Sequence, residues 1–353
     1  MIKAQIVGAT GYGGLGMVEL LQRHPGIEIV SLLAKTDFNK PISELFPHLR
    51  GFCDQKVEEA TPERVGADAD LVIFATPDRV GMAMAGQVLA AGAKMIDYSG
   101  DFRFGTAEQY SRYALLHPST AGQPHTAPEL LSQSVYGIPE LFRSQIKDAR
   151  LVGNPGCFAV AMTLGLAPAV SEGIVDPTSL IVDGKTGSSG AGKKPGAVHH
   201  FPERNESCAP YRLASHQHSV ETTNTLTQLA GEAARMTFVP HLLSTTRGIL
   251  CTAYANLRRG VSLGEVYELY RRLYEGEPFV RIHPPGVYPG LKSVLGSNLC
   301  DISLALDAAS DRLIIVSSID NLVKGQAGNA LQNINIMFGF PETMGLERLP
   351  TYP

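Results

Sequence analysis

The feature that most constrains the fold is a short apolar strand that runs directly into a glycine-rich loop at the start of the chain. The strand is Lys3–Val7, and a helical pattern from about residue 15 to residue 23 follows the loop. Further apolar strand patterns at 27–34, 69–75 and 94–97 alternate with a small-residue helix at about 80–91. Strands alternating with helices predict a parallel sheet with crossover helices, an α/β fold. The loop itself reads Gly8-Ala9-Thr10-Gly11-Tyr12-Gly13-Gly14.

After residue 157 the pattern changes to strands that follow strands, with few helices between them. This predicts a second, α+β domain with a mostly antiparallel sheet. The clearest helix there is 262–274, and another is predicted at about 325–338. The strand patterns lie at 180–182, 236–239, 248–257, 279–282, 298–306 and 312–319.

The composition is that of a globular protein. The 353 residues are 44% hydrophobic and 18% charged, and this length suffices for two domains. A net charge of −4 gives no reason to expect nucleic acid or membrane as a partner. The N-terminus is too short and strand-like for a signal peptide, and five widely spaced cysteines indicate neither a disulfide framework nor a structural zinc site. We therefore expect a cytoplasmic protein.

The glycine loop predicts a dinucleotide site. Glycines between a strand and a helix let the backbone approach a pyrophosphate at the helix N-terminus. A tight turn with no ligand is the alternative, since turns also need glycine. At the end of the second strand, where an acidic residue would bind the ribose of NAD, the chain has Lys35-Thr36. A cation there favours the 2′-phosphate of NADP, although a solvated surface lysine would look the same.

The segment Gly153-Asn154-Pro155-Gly156-Cys157 places one thiol at the start of an apolar stretch, 158–170, that reads as a buried helix. Unpaired N–H groups and the helix dipole at such a position favour the thiolate, which is the nucleophilic form. The alternative is an inert core cysteine.

Two further segments carry polar side chains suited to chemistry. Lys185–Lys194 is a second glycine loop whose Ser188 and Ser189 could hold an anion or the nicotinamide end of a cofactor, or simply form a hairpin. The His216-Gln217-His218-Ser219-Val220-Glu221 cluster could bind a metal or transfer protons. Zinc would need further ligands that the cysteines do not offer, so proton transfer beside Cys157 is favoured.

Together these elements indicate one reaction. A thiolate attacks an activated acyl carbon, and the resulting thioester is reduced to an aldehyde by a nicotinamide cofactor. The backbone N–H of Cys157 and the side chain of Asn154 are the candidate donors to the developing oxyanion. A non-enzymatic NADP-binding sensor and a zinc hydrolase through His216 and His218 are the alternatives from other classes.

The motifs, taken in order, resemble the N-acetyl-gamma-glutamyl-phosphate reductase family of arginine biosynthesis, which is related to aspartate-semialdehyde dehydrogenases. The likeness runs through nearly the whole chain. The segments that carry it are the glycine loop 8–14, 46–51, 96–103, 136–141, 153–158, 187–192, 216–221, 240–242 with 247–248, and 325–333.

The resemblance implies an NADPH-dependent reduction of N-acetyl-L-glutamyl 5-phosphate to the 5-semialdehyde and phosphate. It implies a Rossmann-type NADP-binding domain at 1–152 with 325–353 and a catalytic and dimerisation domain at 153–324. Exposed β edges in the second domain predict a homo-oligomer (dimer or tetramer), and we expect no metal. Cys157 would be the nucleophile, and either His218 or His216 the acid and base; we favour His218 because Glu221 lies one helical turn away. The expected cofactor ligands are Gly8, Thr10, Gly11, Tyr12, Gly13, Lys35, Ser188, Gly190 and Asn333, and the expected substrate ligands are Arg103, Ser188 and Arg212.

The chain departs from the family pattern in three places and carries one unusual loop. Phe158, Val160 and Asp78 stand where the family usually has tyrosine, threonine and histidine. The insertion 199–204 resembles a loop in the related lysine-pathway reductases, which use a substrate carried on a small acidic protein. Carrier-bound aminoadipyl phosphate is therefore the alternative substrate.

Overall fold

The structure is a computed structural model that describes residues 1–352, and the chain forms two compact units. The first unit comprises Met1–Pro155 and Gln326–Glu347, and the second comprises Gly156–Gly325 and residues 348–352. The sequence-based division differs in placing 153–155 with the second domain and the C-terminal residues with the first. The terminal residues join the second unit through contacts such as Thr351 N to the carbonyl of Leu295, at 2.7 Å.

Fourteen strands and ten α-helices occur in residues 1–352. The strands are β1 (Ile2–Val7), β2 (Ile27–Ala34), β3 (Val57–Glu59), β4 (Leu71–Phe74), β5 (Lys94–Asp97), β6 (Ser134–Tyr136), β7 (Leu151–Gly153), β8 (Leu180–Thr186), β9 (Ala209–Pro210), β10 (Met236–Leu242), β11 (Ile249–Asn256), β12 (Val280–Ile282), β13 (Cys300–Asp307) and β14 (Arg312–Ile319). The helices are α1 (Tyr12–Leu21), α2 (Ile42–Leu45), α3 (Val80–Ala90), α4 (Ala107–Leu116), α5 (Pro139–Asp148), α6 (Cys157–Ser171), α7 (Phe201–Arg204), α8 (His218–Ala230), α9 (Leu263–Leu273) and α10 (Gly328–Phe338).

The first unit contains a seven-stranded parallel sheet in the order β3-β2-β1-β4-β5-β7-β6. Its inner strands are buried on both faces, as in β4, where every residue from Leu71 to Phe74 is inaccessible to solvent. That is why they read as continuous apolar runs rather than alternating patterns. The strand order reverses its direction at β1, and such switch points are where open α/β sheets bind their ligands. The predicted Rossmann-type domain is confirmed.

The second unit contains a seven-stranded mixed sheet in the order β12-β13-β14-β11-β8-β10-β9. Four of its six neighbouring pairs are antiparallel, as predicted, while β8–β10 and β12–β13 are parallel. Helix α6 lies against β11 and β14, with α8 and α9 beside it. All of its residues from Phe158 to Val170 are buried, because a helix that is apolar on every side requires packing partners all round.

Two helical features were not indicated by the sequence. The strand-rich pattern did not predict α8 as a helix of 13 residues, because its sequence is rich in weak helix formers, among them Ser219, Thr223 and Asn224. The C-terminal helix is preceded by a single π-helical turn at Val323–Ala327. No helix in residues 1–352 has the length and apolar character needed to cross a membrane.

Candidate active site

The glycine loop forms a tight turn between β1 and α1. Gly8 has φ +89°, which L side chains rarely adopt, and its carbonyl accepts a hydrogen bond from Gly11 N at 3.1 Å. A Cβ on Gly14 would overlap that carbonyl. Gly11 then caps α1, and Tyr12 is its first residue. The backbone thus presents unpaired helical N–H groups at the carboxyl edge of the sheet, an arrangement that suits a pyrophosphate.

The other predicted cofactor residues of the first unit surround this loop. Thr10 Oγ1 lies 3.5 Å from the carbonyl of Thr36, so the loop meets the end of β2. Lys35 is exposed directly beyond that strand. A Cβ on Gly13 would lie 3.0 Å from Gln326 Nε2, which brings the start of the C-terminal segment to the same loop.

Asn154 and Asn333 belong to a buried cluster of amides. Asn154 Oδ1 accepts hydrogen bonds from Asn329 Nδ2 at 2.9 Å and from Asn333 Nδ2 at 3.4 Å, while its own Nδ2 donates to the carbonyl of Gln326 at 3.1 Å. Asn333 Nδ2 also donates to the carbonyl of Gly137 at 2.9 Å. These contacts join α10 to the end of β7. An oxyanion role for Asn154 and a cofactor role for Asn333 stay predictions.

Arg103, a predicted substrate ligand, is buried and is 7% exposed. Its Nε donates to the carbonyl of Asn154 at 2.7 Å, and Nη2 donates to the carbonyl of Tyr98. Arg103 therefore holds two loops of its own unit together. No sequence pattern indicates this structural role, and a substrate role for Arg103 stays a prediction.

Three carboxylates form a cluster at the N-terminus of α3 that no sequence pattern indicates. The carboxylate of Asp101 accepts the backbone N–H groups of Arg79 and Met82, at 2.9 and 3.1 Å, and so caps that helix. Burial raises the pKa of Asp101 to about 6, and burial together with the neighbouring charge of Asp101 raises the pKa of Asp97 well above its usual value. Asp78 completes the cluster and pairs with His117 at 3.1 Å.

In the second unit, Cys157 is the first residue of α6, as predicted, and Gly156 caps that helix. Cys157 is half-buried. The buried carboxylate of Glu221 accepts the N–H of Gly156 at 2.7 Å. A Cβ on Gly156 would overlap the ring of His218. Residues that are more than 60 positions apart in the chain therefore meet at the start of the helix that carries the thiol.

The two histidines of the predicted cluster are adjacent and largely buried. Their ring centroids are 4.8 Å apart at an angle of 65°, and His218 N donates to His216 Nδ1 at 3.2 Å. Phe158 packs edge-on against both rings, at 5.8 and 6.4 Å. Because Gly156 touches the ring of His218, this is the imidazole placed next to the cysteine-bearing turn. No group of three or more His, Cys, Asp or Glu in residues 1–352 is arranged to hold a metal ion.

Tyr211 and Cys251 also lie near the thiol, and no sequence pattern had singled them out. Burial first, and then the charge of Cys157, raise the pKa of both side chains. The Tyr211 ring lies 5.7 Å from that of His216. Tyr211 thus covers one side of the imidazole pair, while Cys251 on β11 lies beneath α6.

The π-helical turn at Val323–Ala327 brings the backbone of Gly325 against the nucleophile. A Cβ on Gly325 would lie 2.7 Å from Cys157 Cβ. Such turns occur frequently at functional sites. The predicted helix from residue 325 therefore begins with this π-helical turn, and position 325 requires glycine because a side chain there would displace the cysteine.

The second glycine loop is held by a buried pair, Asp320 and Asn321. Asn321 Nδ2 donates to Ser189 Oγ at 3.0 Å, and its Oδ1 accepts Gly248 N at 2.7 Å. Asp320 pairs with Arg247 at 3.1 Å, and its own carbonyl accepts Gly325 N at 2.9 Å. One dipeptide therefore connects the serine loop, residues 247–248 and the turn that contacts Cys157.

The remaining predicted residues of the second unit lie on loops. Ser188 is half-buried, and its N donates to the carbonyl of Thr245 at 2.9 Å, while Gly190 is exposed. The guanidinium of Arg212 donates to Gln217 Oε1 at 2.6 Å and to the carbonyl of Ser215 at 3.1 Å. Arg212 therefore shapes the entry to α8. Ligand contacts for these residues stay predictions.

Two family models cover most of the chain. Residues 3–149 match the NAD-binding domain of semialdehyde dehydrogenases, and residues 157–321 match the semialdehyde dehydrogenase dimerisation domain. The first match indicates a nicotinamide dinucleotide cofactor.

Curated relatives match over the full length. N-acetyl-gamma-glutamyl-phosphate reductases from Moorella thermoacetica and Geobacter metallireducens are each 42% identical, over 98% and 100% of both chains. The same enzyme from Symbiobacterium thermophilum is 43% identical over 100% of this chain and 99% of its own.

Solved structures share the fold at low identity. Aspartate semialdehyde dehydrogenase II from Vibrio cholerae has a TM-score of 0.72 at 16% identity, covering 96% of this chain and 99% of its own. Aspartate semialdehyde dehydrogenase with NADP from Candida albicans has a TM-score of 0.67 at 16% identity, covering 96% and 98%. The chain belongs to the N-acetyl-gamma-glutamyl-phosphate reductase family and is an oxidoreductase built from the two semialdehyde dehydrogenase domains.

Proposed function

We propose that this enzyme reduces N-acetyl-L-glutamyl 5-phosphate to N-acetyl-L-glutamate 5-semialdehyde and phosphate with NADPH, in arginine biosynthesis, through a thioester on Cys157. The observation that carries the proposal is the turn at the start of α6. There a half-buried thiol follows Gly156, whose Cα touches the ring of His218 and whose N–H is bound by Glu221. The full-length relatives at 42% identity are named N-acetyl-gamma-glutamyl-phosphate reductases, which supports the acyl phosphate as substrate.

The first step needs a thiolate and an acid. The helix N-terminus favours ionisation of Cys157, and the adjacent His218 is the base that accepts its proton. The sulfur attacks the acyl carbon, the bond from that carbon to the phosphate oxygen breaks, and His218 returns the proton to the departing phosphate. Glu221 holds Gly156 so that the thiol and the imidazole keep their mutual orientation.

In the second step the thioester carbonyl is reduced and the carbon–sulfur bond breaks, which releases the aldehyde and restores the thiolate. When bound, the nicotinamide cofactor supplies the hydride for this step. The backbone N–H groups at the start of α6 would stabilise the oxyanion that develops on the substrate. Solvent then returns one proton to the sulfur, so that the cycle consumes one proton for each aldehyde formed.

The residues of the first unit fit a dinucleotide. Gly8 and Gly14 allow the tight turn before α1, because a Cβ at either position would overlap backbone atoms, and this turn exposes the first N–H groups of the helix to a phosphate. An exposed cation, Lys35, follows β2, at the position where a carboxylate would select NAD. We therefore assign NADPH as the preferred cofactor.

A second copy of the chain is the expected partner. Ser317 and Gly184 face α6, since Ser317 Oγ donates to the carbonyl of Ala161 and Gly184 lies under Phe158. Alternate positions on the same strands face away, and they carry incompletely buried apolar side chains such as Ile181, which is 40% exposed. An exposed apolar sheet face of this kind is suited to packing against the same face of a second copy in a symmetric dimer. Light scattering coupled to size exclusion should give at least twice the 37.8 kDa mass of one chain.

The reaction is tested by NADPH absorbance with three acyl phosphates: N-acetylglutamyl, aspartyl and carrier-bound aminoadipyl. We expect turnover with the first. Cys157→Ser should abolish turnover and leave cofactor binding intact, whereas Cys208→Ser, at an exposed cysteine, should change neither. Full activity in Cys157→Ser would exclude the thioester, and exclusive use of the carrier-bound substrate would exclude the arginine-pathway assignment.

A further inference from the structure

Lys324 is a buried lysine that the proposed reaction does not use. It is 0% exposed, whereas every other lysine in residues 1–352 is exposed or half-exposed. Lysine is almost never fully buried unless the surrounding groups fix its charge, because the ammonium loses its hydration. Lys324 belongs to the π-helical turn at Val323–Ala327, and the next residue, Gly325, is the one that lies against Cys157. Its burial at this place calls for a specific explanation.

The side chain of Lys324 connects this turn to the residue that precedes β12. Its Nζ lies 5.7 Å from the centroid of the Phe279 ring, within the range of a cation–π interaction. Phe279 is itself buried, and its carbonyl accepts the N–H of Cys300, the first residue of β13, at 2.7 Å. The ring is therefore fixed to the mixed sheet, and a buried ammonium that rests on it restrains the backbone of the turn.

The other anchor of the turn is Asp320. Its carboxylate accepts two backbone N–H groups at the start of the turn, at 2.8 and 3.2 Å, and its carbonyl accepts Gly325 N at 2.9 Å. Asp320 thus fixes where the turn begins, while the side chain of Lys324 ties the middle of the turn to the sheet. Between these two anchors the backbone of Gly325 meets the cysteine, since a Cβ on Gly325 would lie 2.7 Å from Cys157 Cβ.

This contact limits where the sulfur of Cys157 can point. Cys157 is the first residue of α6, so its sulfur lies near the unpaired N–H groups of the helix only in some of its side-chain rotamers. The backbone of Gly325 occupies the space on one side of Cys157 Cβ, and the sulfur cannot turn toward it. A sulfur that stays near those N–H groups ionises more easily than one that rotates freely.

We propose that Lys324 is a positioning residue for the nucleophile: its buried ammonium holds Gly325 against Cys157, and this contact keeps the sulfur near the first N–H groups of α6. The inference rests on the proposed role of Cys157. Lys324 acts through the backbone of the turn and not on the reacting atoms. Loss of the ammonium should therefore change the ionisation of the thiol and the rate of the chemistry, and leave cofactor binding as it is.

Lys324→Met tests the proposal, because methionine is an unbranched side chain that removes the charge. The readout is the rate at which iodoacetamide alkylates Cys157 between pH 6 and pH 10. A Cys208→Ser background is used, since Cys208 is exposed and would also react, while the other three cysteines are buried. We expect the pH midpoint of alkylation to rise by about half a unit or more, toward that of a free thiol. The kcat should fall roughly tenfold, with the KM for NADPH unchanged.

Lys94→Met is the matched control. Lys94 Nζ lies 4.9 Å from the centroid of the Phe338 ring, which is the same kind of contact in the first unit. The variant should leave the alkylation midpoint and kcat at their wild-type values. A shift of the same size in Lys94→Met would mean that any lost lysine–aromatic contact has this effect, and would overturn the proposal.

Phe279→Leu is a second test, which keeps the lysine and removes the aromatic ring beneath it. It should shift the alkylation midpoint in the same direction, and it decides the question if Lys324→Met does not fold. Urea unfolding is measured for each variant. A folded variant with a wild-type midpoint, whether or not its stability has fallen, would overturn the proposal. Turnover that persists in Cys157→Ser would instead exclude the thioester alone, because the alkylation midpoint is measured without substrate.

Discussion

The imidazole of His218 lies directly against the Cα of Gly156, the residue that caps the helix beginning at Cys157. Gly156 has φ −71° and ψ 146°, a conformation that alanine adopts without strain. Gly156→Ala therefore acts only through its methyl group, which would push the ring away from the thiol. We expect kcat to fall roughly 100-fold, typical of a lost acid–base group, with the KM for NADPH unchanged.

Gly264→Ala is the matched control for this change, since a Cβ there meets nothing closer than 3.9 Å. It should be fully active. Steady-state kinetics of both variants check the prediction, and a Gly156→Ala enzyme with wild-type kcat would contradict a role for His218 next to the thiol.

Glu221 should act mainly through its hydrogen bond to Gly156 N. Glu221→Ala leaves that buried N–H without its acceptor, which costs about 1–3 kcal/mol of unfolding free energy, and it should also lower kcat. Glu221→Gln keeps an acceptor oxygen and should recover most of the stability. Urea unfolding and kinetics of both variants separate the two roles: if the glutamine variant is as stable as wild type but inactive, the negative charge itself is needed for catalysis.

Asn321 should position the serine loop without touching the reacting atoms. Asn321→Ala removes the donor to Ser189 and leaves Gly248 N unpaired, so we expect the KM for the acyl phosphate to rise several-fold while kcat changes less. Asn321→Asp keeps the acceptor for Gly248 N, but it replaces the donor to Ser189 by a buried carboxylate next to Asp320. It should therefore lose more stability than alanine at neutral pH, because a buried negative charge is added beside another one. Equal losses of kcat and stability in both variants would instead indicate general loosening of the fold.

Lys35 should set the cofactor preference. Removing the cation in Lys35→Ala takes away the partner of a 2′-phosphate but leaves the glycine loop intact. We expect the KM for NADPH to rise about tenfold, the value of one charge-assisted contact of about 1.4 kcal/mol, with the KM for NADH unchanged. Parallel assays with both cofactors check this, and an unaltered NADPH-to-NADH ratio would remove Lys35 from the site.

Ionisation of the buried Asp97 carboxyl should make the first unit less stable as the pH rises. The pKa values of Asp97 and Asp101 are raised on folding, so the folded state binds more protons than the unfolded state above about pH 4. The free energy of unfolding then falls as the pH increases through about 6 and beyond. Asp97→Asn removes one titrating group at constant shape, so its free energy of unfolding should depend less on pH and should exceed that of wild type most clearly at pH 8.

Urea unfolding at pH 5, 6, 7 and 8 measures this effect. Asp68→Asn is the control, because Asp68 is exposed and its φ of 52° is one that asparagine tolerates. An Asp97→Asn protein whose pH dependence parallels that of wild type would show that Asp97 does not titrate differently in the folded chain.

Local sequence patterns were sufficient to predict the parallel sheet and the position of the thiol at the start of a helix. The strand at residues 2–7, the turn at Gly8 and the apolar stretch 158–170 are each decided within about 15 residues, because backbone geometry and hydrophobic periodicity are local properties. The mixed character of the second sheet was less visible. Whether β8 pairs in parallel with β10 depends on how the intervening 49 residues fold back, which no local pattern records.

The surroundings of Cys157 were decided by tertiary structure. Tyr211 and Asp320 belong to no motif, and Gly325 belongs to one that does not indicate a contact with the thiol. They lie against the thiol or its loops only because the chain returns to α6 from 50 to 170 positions away. The sequence by itself determined which side chains can do the chemistry and the helix that carries the nucleophile. Only the packing of distant segments determined what touches them, because contact energy depends on distance in space and not on separation along the chain.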